Sequence, residues 1–216
     1  MSSKISFFGK DLWAEFENEV LALTTEALSE LKTMKFDNAY ENTVNYSLNE
    51  SLRKIRYEKR NSNSLTPYPM YEAELIGKEK DEERSKRFGK KPDFQFVFRD
   101  NLADYEHWEI SYCIECKRLG DTTFSRKYID DGINRFIDKE WEYGIRAQSG
   151  AMIGYIQSSN EKVILSQVNQ YNSQKSLNQI KLNRKQNGIS LFKQNIMRKN
   201  IEPKEFKLNH LWVDLI

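Results

Sequence analysis

The sequence predicts an α/β protein in which helices flank a central mixed sheet of four to six strands. Three observations carry this expectation. Apolar residues recur at helical spacing near the N-terminus and again over 125–142. Strand-like runs stand before and after that second helix at 93–99, 107–116 and 150–157, and two more close the chain. Of 216 residues, 38% are hydrophobic while only nine are Gly and four Pro, which suits one well-cored domain.

Taken in order, residues 11–33 read as a helix, with Trp13, Phe16, Val20, Leu23, Ala27, Leu28 and Leu31 at three- and four-residue steps and Asp11 as its cap. A second helix is expected over about 41–59, with Val44, Leu48, Leu52 and Ile55 on one stripe and Asn38 or Asn42 near its start. Asn61 to Ser64 breaks the pattern, and Pro67 and Pro69 keep the chain extended or turning. Residues 70–76 fit a short strand or a helical turn, and a polar run follows from Lys78 to Lys91. The 93–99 and 107–116 runs, joined by a short polar connection, are expected to pair as an antiparallel hairpin. Tyr128, Ile129, Ile133, Phe136, Ile137 and Trp141 mark the helix over 125–142. Gly150 to Gln157 is almost continuously apolar and reads as a strand covered on both faces, its Gly150-x-x-x-Gly154 spacing permitting close helix–sheet packing. The crossover between the 110–117 and 150–157 strands is expected to be parallel. A polar helix at about 160–175 and strands at 189–197 and 206–216 complete a single domain, 1–216. It divides into an N-terminal helical extension (1–40), a core (41–158) and a C-terminal helix and strand pair (159–216).

Composition narrows the setting. No apolar run approaches the ~20 residues of a membrane span, and the N-terminus lacks a signal peptide's apolar segment, so no membrane partner and a cytoplasmic location are expected. Cys113 and Cys116 fall on opposite faces of one strand and are not expected to pair; with only His107 and His210 besides, a zinc site is not expected either. Net charge is only +2, but its distribution is uneven. Residues 181–207 carry eight Lys or Arg, Arg184 and Lys185 among them, against two Glu. Arg84, Lys86, Arg87, Lys90 and Lys91 form a second cluster just before Asp93. Either cluster by itself equally describes a solvated surface.

The chemistry concentrates between Pro92 and Lys117. Alternation along a strand puts Glu115 and Lys117 on one face and Ile114 and Cys116 on the other, and the hairpin offers Asp93 to the same cleft. Two carboxylates and substrate phosphate oxygens suit Mg²⁺, which keeps several waters and wants oxygen ligands. Lys117 in such company stays protonated, favouring an electrostatic role on a phosphate. An exposed charge pair on an amphipathic strand is the ordinary alternative for Glu115 and Lys117. The apolar neighbours Ile114, Cys116 and Leu119 weigh against it.

Pro92-Asp93, an intervening strand and turn, then Glu115-Cys116-Lys117 followed by a helix and a strand, resembles the PD-(D/E)XK nuclease superfamily over about residues 41–158. The resemblance implies a restriction-endonuclease-like core and a Mg²⁺-dependent endonuclease acting on DNA, with Mn²⁺ able to substitute. It implies Asp93 and Glu115 as metal ligands and Lys117 as the catalytic lysine. It also implies an acidic residue from the first core helix, for which Glu50 is the choice, ahead of Glu41 and Glu58; Glu72 and Glu74 compete. From the helix after the lysine strand, Arg135 is expected on phosphate; Arg87, Lys90, Lys91, Arg184 and Lys185 are expected to hold nucleic acid. A microbial restriction or anti-phage effector is implied, working as a homodimer or with an activating or recognition partner, since one site cuts one strand. Two alternatives stand beside this: a ribonuclease, and a non-catalytic nucleic-acid-binding or scaffold subunit that kept the fold.

Overall fold

A computed structural model describes residues 7–36, 39–61, 67, 69–71, 91–99, 109–141 and 143–216. Helix α1 (Phe7–Leu31) starts ahead of Asp11, so that residue is inside the helix and does not cap it. Helix α2 (Glu41–Glu58) has Tyr40 at its N-cap with no side-chain hydrogen bond; Asn42 lies within the helix, and Asn38 is outside the described residues. The expected stripe of α2, Val44, Leu48, Leu52 and Ile55, is buried.

Strands β1 (Pro69–Tyr71), β2 (Phe94–Arg99) and β3 (Glu109–Leu119) follow. Residues 72–76, the rest of the ambiguous segment, lie outside the described residues. The helix expected over 125–142 begins earlier and ends earlier. It comprises α3 (Thr122–Tyr128), a π-helical turn (Ile129–Ile133) and α4 (Asn134–Ile137). Asp121 sets the start by accepting hydrogen bonds from the Thr123 and Phe124 N–H groups. Strand β4 (Ser149–Ile156), helix α5 (Glu161–Gln174) and strands β5 (Lys181–Gln186), β6 (Ile189–Met197) and β7 (Glu205–Asp214) complete the chain.

These strands form one open mixed sheet in the order β1-β2-β3-β4-β7-β6-β5. Its seven strands exceed the expected four to six. The strand that went unforeseen is β5, a polar run of which every residue is exposed. The β2–β3 pair is the expected antiparallel hairpin, and β3–β4 is the expected parallel crossover; β4–β7 is also parallel.

Register separates the two faces, because directly opposed residues project to the same side. Glu115, Met152, His210, Phe192 and Leu182 are successive partners from β3 to β5, on the face covered by α3, α4 and α5. Ile114, Ala151, Asn209, Lys193 and Lys181 are the partners on the other face, which packs against α1 and α2. Strand β4, with all eight residues buried, lies between both layers and anchors the core. Cys113 and Cys116 are free and buried on opposite faces. Among the described residues, no helix is long and apolar enough to cross a membrane.

Candidate active site

Strand β3 outruns its neighbour. The last β2–β3 pair is Phe94 with Ile114, so the stretch from Glu115 to Leu119 has no β2 partner. Cys116 and Arg118 are two apart, and their N–H groups therefore face the same edge of the strand. Asp93 Oδ2 accepts from the Cys116 N–H at 2.7 Å, and Glu41 Oε2 accepts from the Arg118 N–H at 3.2 Å. Two carboxylates thus take the place of the missing strand and satisfy backbone donors that would otherwise stand open.

The remaining charges converge on the same place. Lys117 Nζ donates to Glu41 Oε1 at 3.0 Å, to Glu115 Oε1 at 2.6 Å and to the Cys116 carbonyl at 2.8 Å. Arg135, on α4, donates from Nη1 to the same Glu115 Oε1 at 2.6 Å, while its guanidinium lies over the Trp141 ring. Glu115 is wholly buried. Its second oxygen, Oε2, is buried without a hydrogen-bond partner. Three acidic side chains face one lysine and one arginine, so full ionisation of all three would leave an excess of negative charge.

Burial, with the negative charge of Glu115 beside it, pushes the Asp93 carboxyl up to about 8. Burial likewise raises Glu115, against the pull of Lys117 and Arg135. Burial acts to lower Lys117, but Glu115, Glu41 and Asp93 outweigh it and hold the ammonium above its ordinary range. Lys117 therefore remains a cation across the whole physiological span.

The site opens into a cleft of about 350 Å³, lined among others by Tyr40, Glu41, Lys117, Arg118, Lys127 and Arg135. The π-helical turn fits closely over the lysine stem. A Cβ at Gly132 would collide with Met152 Cε and sit 3.4 Å from Lys117 Cγ.

Of the sequence-predicted residues, Asp93, Glu115, Lys117 and Arg135 are brought together. Glu50 is not. Nine residues at about 100° each turn it about 180° away from Glu41, onto the exposed face of α2. There it pairs with Arg53 at 3.3 Å. The acidic residue that α2 does supply is Glu41, its first residue. Lys91 flanks Asp93 and receives the Tyr143 hydroxyl on its carbonyl oxygen. Arg87, Lys90, Glu72 and Glu74 lie outside the described residues. Arg184 and Lys185 stand on β5, far along the sheet from the cleft, and Lys185 is paired with Glu161 at 2.9 Å. Arg118, which strand alternation directs to the face opposite Lys117, lines the cleft with its guanidinium over the Phe124 ring.

Among the described residues, no three His, Cys, Asp or Glu side chains are gathered as a ready-made metal cage. Mg²⁺ asks for less, since one or two carboxylates suffice when waters and substrate phosphates complete its shell. The unpartnered Glu115 Oε2 and the suppressed ionisation of Asp93 both fit a hard cation, which would relieve each. Asp93 and Glu115 would hold it, with Glu41 within the same charge network. Compared with protein-family models, curated proteins and solved structures, the chain matches none.

Proposed function

We propose that this chain is a Mg²⁺-dependent endonuclease that hydrolyses DNA phosphodiester bonds on a restriction-endonuclease-like core. The observation that carries the reading is the Lys117 ammonium fixed between Glu41 and Glu115 at an open cleft, beside a buried carboxylate oxygen with no partner. When bound, Mg²⁺ polarises the scissile phosphate and acidifies a nearby water; Mn²⁺ offers the same chemistry. The chain's own residues supply the rest. Lys117, kept charged by its carboxylates, orients the attacking water and offsets charge growing on the phosphate; it does not accept a proton. Arg135 holds Glu115 in place and presents a second cation to the cleft, with Arg118 and Lys127 lining the path of the backbone. Water adds to phosphorus and gives up a proton to solvent, while the bond to the leaving oxygen breaks and that oxygen takes a proton from solvent to depart as an alcohol.

The second reading is a non-catalytic nucleic-acid-binding subunit. On its side is the mutual neutralisation of Glu41, Glu115, Lys117 and Arg135, which is what a purely structural ion network does. Incubation with supercoiled, linear and single-stranded DNA and with RNA, each in Mg²⁺, Mn²⁺ or EDTA, separates the two. Metal-dependent cleavage of DNA, reduced about 10²–10³-fold in Lys117→Ala and Asp93→Ala, is expected. Cleavage undiminished in both variants overturns the site.

A further inference from the structure

The seventh strand carries a charge arrangement that the cleft does not use. Strand β5 is the last strand of the sheet, and its six residues, Lys-Leu-Asn-Arg-Lys-Gln, are all exposed. Lys181 stands directly opposite Lys193 of β6, an exposed like-charge cross-strand pair that costs stability in the free protein. Across the bulge, Arg184 is opposite Leu191, which places it on the same face as Lys181 and Lys193. Lys32, just past α1, adds a cation at the ribbon's other end, donating to the Gly188 carbonyl in the β5–β6 turn at 3.4 Å. Among the described residues, none of Lys181, Arg184 and Lys193 has an ion pair. Of the carboxylates on this face, Glu17 is already taken by Lys207 and Asn209, and Glu205 stands opposite Met197, two same-face positions beyond Lys193.

Protection of a sheet edge explains a lysine on β5 but not its partner on β6, which is no edge strand. What relieves two facing ammonium groups and a guanidinium is a polyanion. The side chains of the strand select which one. Lys181, Asn183, Arg184, Lys185 and Gln186 are all hydrogen-bond donors, and Leu182 is the strand's lone apolar residue. On the ribbon the exposed large apolar side chains are Leu182, on the opposite face, and Met197, at the far end of β6. The charged stretch itself thus lacks the central apolar or aromatic anchor that a protein partner would use, whereas phosphate backbones are bound by donors and cations alone. We propose that the β5–β6 ribbon is a docking surface for the phosphodiester backbone of a nucleic acid, separate from the cleft at β3. Four strand steps of about 4.8 Å put it about 19 Å from β3, on the opposite face of the sheet. Its binding is independent of catalysis, and its failure leaves the cleavage reading untouched.

The test is fluorescence anisotropy of a labelled duplex oligonucleotide with the full chain in EDTA, over a series of salt concentrations. Wild type should bind, and the slope of log K against log salt should shrink by about 0.9 for each cation removed in Lys181→Gln, Arg184→Gln and Lys193→Gln. Lys193→Arg should keep the slope. Lys193→Glu should weaken binding yet raise the melting temperature of the free protein, because an attractive cross-strand pair replaces a repulsive one. That opposite movement of binding and stability excludes misfolding as the cause. No duplex binding by wild type, or slopes unchanged in the Gln variants, overturns the proposal. So does poly-glutamate that binds as tightly as the duplex and is lost in the same variants, which would assign the surface to an acidic protein.

Discussion

Glu41 and Glu50 sit on one helix and differ only in phase, yet only Glu41 can touch the chemistry. Glu41 Oε1 meets the Lys117 ammonium and its Oε2 the Arg118 N–H, whereas Glu50 is exposed beside Arg53. Glu41→Gln is therefore expected to lower cleavage about 10–100-fold, the usual cost of losing a group that supports a metal site. Glu50→Gln should leave it within about twofold, as an exposed i,i+3 pair contributes little. Parallel steady-state cleavage assays decide this; equal losses in both would remove Glu41 from the site. The distinction was legible in the sequence. Val44, Leu48, Leu52 and Ile55 define the buried stripe, and Glu41 extends it by one turn toward the N-terminus while Glu50 falls between its members on the far side. Asp93, Glu115 and Lys117 were readable by strand parity and register alone. Arg118 was not, because alternation directs it away and only the Phe124 ring brings its guanidinium round the strand end.

At the level of elements, strands with an apolar face announced themselves and the exposed one did not. Strand β5 has no alternation because neither of its faces is covered. Its signal was the turn: Asn187-Gly188 links β5 to β6 with φ of 52° and 75°, the positive pair that a two-residue hairpin turn requires. The helix after β3 was legible as apolar periodicity, but its π-helical turn was not, since one extra residue per turn leaves the composition unchanged. How tightly that helix meets the sheet is testable at Gly150. A Cβ there would lie 2.8 Å from the Phe136 ring and 3.0 Å from the Cys113 carbonyl, and backbone cannot step aside as a flexible chain end can. Gly150→Ala is expected to destabilise the protein by about 1–3 kcal/mol in urea unfolding. It should also displace α4, and Arg135 with it, from Glu115. The helix–sheet reading of the glycine spacing holds here. At Gly154 the close neighbours are instead Leu119 and Trp212, from the flanking strands.

For the whole molecule, stability against pH is set by two buried groups that titrate in opposite senses. His210, on β7, accepts the Tyr128 hydroxyl at Nδ1, because Trp212 already donates to that oxygen; its Nε2 is buried without a partner. Burial lowers its pKa from 6.5 to about 3. The unfolded chain then binds the extra proton, and His210 costs stability as pH falls from 6.5 toward 3. Asp93 works the other way. With its pKa raised from 3.8 to about 8, the native state holds the extra proton, and stability is lost as pH rises through that interval. Glu115, raised as well by burial, adds to the loss as pH rises above its ordinary 4.5. From about pH 4 to 6.5 the slopes of His210 and Asp93 oppose each other, at about 1.4 kcal/mol per pH unit for each proton. Above 6.5 the Asp93 slope is no longer opposed by His210. Metal-free protein in urea titrations is thus expected to lose stability between pH 6.5 and 8, and Asp93→Asn should flatten that limb. His210→Gln should extend the decline down toward pH 4. Saturating Mg²⁺ should abolish the alkaline limb in wild type, since cation and proton compete for the same carboxylates and metal affinity rises with pH until Asp93 is ionised. An alkaline limb that persists in Asp93→Asn would show that Asp93 does not set it, and one that Mg²⁺ leaves unchanged would show that these carboxylates do not bind the ion.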